Sequence, residues 1–155
     1  MTQIDELQRV YRFRNGEIPS ALYETIVFEC DDRNECITKL LSVMELIAEQ
    51  QPDHWPDDDY WRKALPGWLT GTFRTYTSQE LAEIRSDRSR WPDLAWTFGS
   101  WIDRMRDRDW EWWSIGVGID NSITVRLVID GHPFSAKALK HLISAAGGRL
   151  RDLDQ

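Results

Sequence analysis

The sequence predicts an α+β fold: an antiparallel sheet of three to four strands with helices on one face, in the split βαβ, ferredoxin-like order, interrupted by a tryptophan-rich helical insertion over about 51–109. Three observations lead there. Residues 113–129 alternate apolar with small or polar side chains on both sides of Asp120-Asn121, as a hairpin does. A β-prone run at 22–30 is followed by a long amphipathic stretch at 33–50, and a second amphipathic stretch follows the hairpin. Between these halves Pro56, Pro66, Gly67, Gly71 and Pro92 cut the chain into short pieces. The alternative architecture is a three-stranded antiparallel sheet under a helical layer.

In chain order, Ile4, Leu7 and Val10 recur at helical spacing, so a short docking helix is expected over 3–13, stopped by Asn15-Gly16. Thr25, Ile26, Val27 and Phe28 pack well on a pleated surface and mark the first strand. Asp31-Asp32 then offers an N-cap, with Glu35 completing a cap-like pattern, for a helix whose Ile37, Leu40, Leu41, Met44, Ile47 and Ala48 share a face.

In the insertion, Thr77 and Glu80 form a capping box for a helix over 78–88, and Phe98, Trp101, Ile102 and Met105 mark another. Each piece is too short to be stable alone and must pack on the rest. In the hairpin, Ile115, Val117 and Ile119, then Ile123, Val125, Leu127 and Ile129, form the apolar face, joined by a two-residue turn at Asp120-Asn121. Gly116 and Gly118 lie on the other face, open either to a close-approaching group or to solvent. Ser135 is placed to cap a last helix carrying Ala136, Leu139, Leu142, Ile143 and Ala146, ended by Gly147-Gly148. The stretch 149–153 reads as an edge strand or a frayed tail.

The 155 residues fit a single domain over 1–155, with 41% hydrophobic and 29% charged side chains in the ordinary globular balance. The formal charge of -7, from 26 acidic against 19 basic groups, opposes approach to nucleic acid or anionic lipid and favours a basic protein partner; solubility alone also accounts for it. Cys30 and Cys36 are too few for a secreted disulfide framework, and reduced thiols in a cytoplasm are expected. The polar residues 1–10 carry no signal-peptide core, and no apolar run is long enough to span a membrane.

No stretch carries a catalytic signature. The run 53–59 gathers Asp53, His54, Asp57, Asp58 and Asp59, ligand types for a divalent ion, yet the acidic residues also stand where a helix starting at Tyr60 would favour them. No metal and no cofactor is assigned. His132, His141 and Cys30 have no partner at a catalytic spacing. Gly116-Val117-Gly118 lies inside a strand, so it is no phosphate cradle. Arginines interleave with tryptophans over 85–113, but aspartates in the same run cancel their charge and remove the nucleic-acid reading.

Aliphatic residues already supply much of the core, so some of the nine tryptophans are expected at the surface, with Trp55, Trp110 and Trp112 foremost; the other reading is that the indoles are simply well buried. Together with Asp57, Asp58 and Asp59 they form the candidate binding set. The stretches Leu65-Pro66-Gly67-Trp68, Phe98-Gly99-Ser100-Trp101, Trp112-Trp113 and 138–148 resemble bacterial proteins of unknown function, over about the C-terminal 90 residues. In size, acidity and want of a catalytic motif the chain is also similar to bacterial immunity proteins, which silence a cognate toxin; that likeness assigns no residue a role. The expected function is a non-catalytic intracellular protein-binding domain, with an immunity-type inhibitor of a basic partner as its particular form. The alternative is a small enzyme or ligand-binding domain with a pocket between sheet and inserted helices, using His54, Asp57 and Asp58.

Overall fold

The computed structural model describes residues 3–11, 19, 21–89, 95–118 and 120–151, and all statements below concern these. Their elements are α1 (Gln3–Tyr11), β1 (Tyr23–Glu29), α2 (Arg33–Ala48), a 3-10 turn (Pro52–His54), α3 (Asp58–Ala64), α4 (Gly67–Thr70), α5 (Ser78–Arg85), α6 (Phe98–Arg106), β2 (Trp110–Val117), β3 (Ile123–Ile129), α7 (Lys137–Ala145) and β4 (Arg149–Leu150). The expected Asn15-Gly16 stop, Ile119 of the hairpin and residues 152–153 lie outside the described residues.

The sheet runs β2-β3-β1-β4 with every neighbouring pair antiparallel, which is the ferredoxin-like order. The C-terminal segment is therefore a strand, though only two residues long, pairing Leu150 with Phe28 and Arg149 with Glu29. Ile26, Phe28, Ile115, Ile123, Val125, Leu127 and Ile129 line one sheet face and share a core with Leu40, Met44 and Ile47 of α2 and Leu139, Leu142 and Ile143 of α7. Thr25, Val27, Thr124 and Arg126 on the other face are half-buried or exposed.

Local chemistry sets most boundaries. Asp32 caps α2, its carboxylate accepting the Glu35 N–H at 3.1 Å. The buried stripe of α2 runs through Cys36, Leu40, Val43, Met44, Ile47 and Ala48, leaving the expected Ile37 and Leu41 at its margin, only partly buried. Thr77 and Glu80 form the capping box of α5. The last helix departs from expectation: Ala136 is its N-cap, without a side-chain bond. Ser135 instead gives its N–H to both carboxylate oxygens of Asp109 at 3.2 Å, a long-range tie that local sequence does not display. Gly147 takes a left-handed φ of 103°, and a Cβ on Gly148 would stand 2.5 Å from the Ile143 Cγ2 and 2.8 Å from the Phe28 ring, so that turn accepts only glycine.

The hairpin loop is longer than two residues. Gly118 N–H donates to the Ser122 carbonyl at 2.8 Å and Asn121 N–H to the Gly118 carbonyl at 3.1 Å, with Asn121 at φ 65°. Asp120 stabilises this loop by accepting from the Ser122 hydroxyl at 2.6 Å and from Arg151 at 2.7 Å. These bonds hold its carboxyl far below the usual carboxylate range, the Ser122 hydroxyl contributing most. Gly118 is crowded by Ser122 and Asp120, so its small size serves the loop rather than a ligand.

Two further expectations fail. Cys30 and Cys36 are joined in a disulfide, their Cα atoms 6.5 Å apart, because the chain doubles back at the capped start of α2. Trp110 and Trp112 are sealed at 3% and 0% exposure instead of lying at the surface. The cause is a β-bulge: Trp112 stands opposite Leu127 and Ser114 opposite Arg126, leaving Trp113 as an extra residue. Side-chain direction alternates with period two, so the extra residue switches parity, and Trp110, Trp112 and Ile115 all reach the core face.

Glu6 of α1 secures this bulge. Its buried carboxylate accepts the Trp112 backbone N–H at 2.7 Å and pairs with Arg108, which also donates to the Met105 carbonyl at 2.8 Å. The Arg9 guanidinium lies 3.2 Å from the centroid of the Trp113 ring. Removing one member of such a pair strands a buried charge, so Glu6→Ala is expected to lower unfolding free energy by about 3–5 kcal/mol in urea titrations. A loss under about 1 kcal/mol would place the pair among weakly contributing surface contacts.

Candidate functional site

The chain reaches the insertion through the 3-10 turn, whose Pro52 ends α2, and Asp57 then caps α3 by accepting the Tyr60 N–H at 3.0 Å. Asp58 and Asp59 occupy the first turn of α3, where free N–H groups favour carboxylates. The helix-start account of this acidic run is thus the observed one. Asp53, Asp57, Asp58 and Asp59 are all exposed, and none has a cation within ion-pair distance among the described residues. No group of three or more His, Cys, Asp or Glu side chains among the described residues is placed to hold a metal ion.

Aromatic groups border this run. Tyr60 is 41% exposed, its hydroxyl 3.4 Å from the Gln50 amide, and its ring meets Trp61 edge-on at 5.2 Å. Trp55 is half-buried, its ring 4.9 Å from that of the fully buried Trp61. Of the six expected binding residues, the structure therefore brings together Trp55, Asp57, Asp58 and Asp59, and separates them from Trp110 and Trp112, whose rings lie in the core.

The other indoles follow the same pattern. Trp61 and Trp101 are fully buried, Trp68, Trp96 and Trp113 are half-buried, and Trp91 lies outside the described residues. Trp101 joins the insertion to the sandwich: its indole N–H donates to the Ala138 carbonyl at the start of α7, 2.9 Å away. Stacking reinforces the seam, with Phe73 5.0 Å from the His141 ring and 5.7 Å from Trp101.

The histidines do not form a catalytic set. His54 is exposed, and His132 contacts Glu24 at 2.6 Å on the surface. His141 of α7 is half-buried, 2.8 Å from the Thr72 hydroxyl, and burial pushes its pKa below the ordinary imidazole value.

A cavity of about 280 Å³ opens inside the insertion, between α3, the segment 70–76, α5 and the start of α6. It is not the pocket expected between sheet and inserted helices, and His54, Asp57 and Asp58 are not among its walls. Arg62, Phe73, Arg74, Tyr76 and Phe98 are, and sequence reasoning missed them because they are drawn from separate short elements with no fixed spacing. No protein family, curated protein or solved structure matches the chain. No helix among the described residues is long and apolar enough to cross a membrane.

Because burial lowers the pKa of His141 in the fold, the unfolded chain binds its proton more readily, so stability falls as pH drops from the ordinary imidazole value of about 6.5 toward the lower folded value. Thermal unfolding of wild type and His141→Gln between pH of about 7.5 and about 5, the range of ordinary imidazole titration, should show a steeper acid-side decline in the wild type. Parallel pH profiles would mean that His141 is as solvated in the native state as in the unfolded one.

Proposed function

We propose that this protein is a non-catalytic protein-binding domain that engages a basic partner through the face formed by Asp53, Trp55, Asp57, Asp58, Asp59 and Tyr60. The supporting observation is the run of four exposed carboxylates without cation partners, set beside an exposed tyrosine ring. Several other acidic groups are spent internally: Asp103 and Asp107 pair with Arg106, Asp109 with Arg104, and Asp31 with Arg149. Unneutralised charge at a rim steers a complementary partner and sets its rate of encounter, while aromatic surface supplies contact area. In its immunity-type form the partner is a cationic toxin, a reading that rests on size and acidity.

A cytoplasmic setting belongs to the same proposal, since two cysteines do not make a secreted framework. The Cys30–Cys36 bond weighs in the other direction. Mass spectrometry after alkylation of the freshly lysed native cell separates the two: both thiols blocked supports the reducing compartment, and an intact bond overturns it.

The binding reading is tested with the native-cell partner captured on wild type and on the double variant Asp53→Lys, Asp59→Lys, which spares the Asp57 cap. A stoichiometric basic protein should be retained by the wild type, lose at least about tenfold in affinity on charge reversal, and dissociate as salt screens the surface. Recovery of the wild type alone, or a partner indifferent to both reversal and salt, would overturn the proposal, with circular dichroism confirming that the variant folds.

A further inference from the structure

The cavity of the insertion carries cationic side chains, although the Asp58 carboxylate of the acidic face stands beside its Gly99 wall. Two guanidinium groups reach it, from Arg62 on α3 and Arg74 in the connection to α5. Arg62 has no carboxylate within ion-pair distance among the described residues, and its guanidinium carbon stands 4.6 Å from the Phe98 ring centroid. Arg74 gives one nitrogen to Glu80 at 3.1 Å and lies 4.7 Å from the Tyr76 ring centroid. A guanidinium carries five N–H donors, so both retain donors for a ligand. Thr70 and Thr75 add hydroxyl groups without another partner among the described residues.

The walls between these polar groups are aromatic. Phe73 and Phe98 meet edge to face at 5.5 Å, 88° between planes, and Tyr76 closes a further side. The Tyr76 hydroxyl is fixed by accepting the Ala95 N–H at 3.0 Å, and Phe73 is wedged between Phe98, Trp101 and His141, so the walls are braced from behind. Arginines held over ring faces keep their planar forks in a defined orientation, which reduces the freedom lost when they bind an oxyanion. The start of α6 contributes little, because Thr97 and Ser100 already cap it and the Asp58 carboxylate lies beside Gly99.

We propose that this cavity binds a small planar molecule carrying an oxyanion: the ring lies against Phe73 and Phe98, and the carboxylate or phosphate is received by Arg62 and Arg74. A volume of about 280 Å³ sits at the lower edge of ligand pockets, roughly 300 Å³ and upward, which suits one ring with one anionic substituent. The proposal stands apart from the partner-binding face, since Arg62 and Arg74 are not part of the charge reversed there.

Phenyl phosphate, benzoate, inorganic phosphate and benzyl alcohol, titrated separately into the full chain and followed by two-dimensional NMR, test it. Phenyl phosphate or benzoate should produce saturable shifts at Gly99, Phe98 and the Arg62 side chain with a Kd of about 1 mM or tighter. The tighter of the two identifies the oxyanion. Inorganic phosphate and benzyl alcohol should each bind at least tenfold more weakly, as should the better ring anion to Arg62→Gln; Arg85→Gln, an exposed arginine of α5 outside the cavity walls, should leave binding unchanged. Absence of saturable shifts with either ring anion overturns the site. Equal binding of inorganic phosphate removes the role of the rings, and equal binding of benzyl alcohol or undiminished binding to Arg62→Gln removes that of the guanidinium groups.

Discussion

The carboxylate of Glu6, buried against the outer edge of β2, is the contact on which the rest of the architecture turns. β2 is an edge strand, where outward-facing backbone N–H groups have no second strand to accept them, and beside its bulge the ladder is disrupted as well. Glu6 accepts that of Trp112, and the cost of burying its charge is offset by Arg108, itself anchored to the end of α6. One side chain thus fixes α1 to the sheet, α6 to α1, and the bulge in its place. Once the bulge is fixed, the parity switch follows, and two indoles turn inward to the core. A nearby consequence is visible at Glu111, whose half-buried carboxyl is raised above the ordinary value first by desolvation and then by the Glu6 charge.

The insertion can afford no such economy of contacts, because its helices are short: α3 has seven residues and α4 four. Helices of that length do not hold themselves together, and each must bury a large side chain to remain docked. Tryptophan meets the need, since a single indole buries roughly 150–250 Å². Trp61 serves α3 and Trp101 serves α6, with the Trp101 N–H bonded to the Ala138 carbonyl so that docking is directional as well as apolar. The abundance of tryptophan is therefore first a feature of a second core built from short pieces. Among the described aromatic residues Tyr60 is the most exposed, and Trp55 beside it is half-buried.

How much of this was legible in the sequence differs by the range of the interaction involved. The strand order, the Asp32 and Thr77 caps and the Gly147 turn depend on neighbours within a few residues or on alternation along a strand, and each was readable. The bulge was not. Alternation counted from Trp113 gives the correct apolar set for Ile115, but counting back through an unrecognised extra residue sends Trp110 and Trp112 to the wrong side. The Ser135 bond to Asp109, the Cys30–Cys36 bond and the convergence of Arg62 with Arg74 likewise depend on where the chain returns in space. For the candidate face, the acidic run was visible as composition and its capping role as position, while its lack of internal cation partners was a property of the fold.

That last property follows from how charge is partitioned. Two arginines of the 85–113 run are absorbed by aspartates within the same short segment, Arg104 by Asp109 and Arg106 by Asp103 and Asp107, and Arg108 is absorbed by Glu6, so these three brace the approach to β2 rather than face a partner. In α3 the two signs are instead separated along one helix, Asp58 and Asp59 in the first turn and Arg62 and Lys63 in the last, each where the backbone dipole favours it. Helix stability alone accounts for that order. Its consequence is geometric: the acidic end looks outward beside Tyr60, while Arg62 is folded back over Phe98 toward the cavity. One seven-residue helix thereby supplies an anionic surface and a cationic cavity wall, and the Trp61 ring that docks it holds both in register with the sandwich.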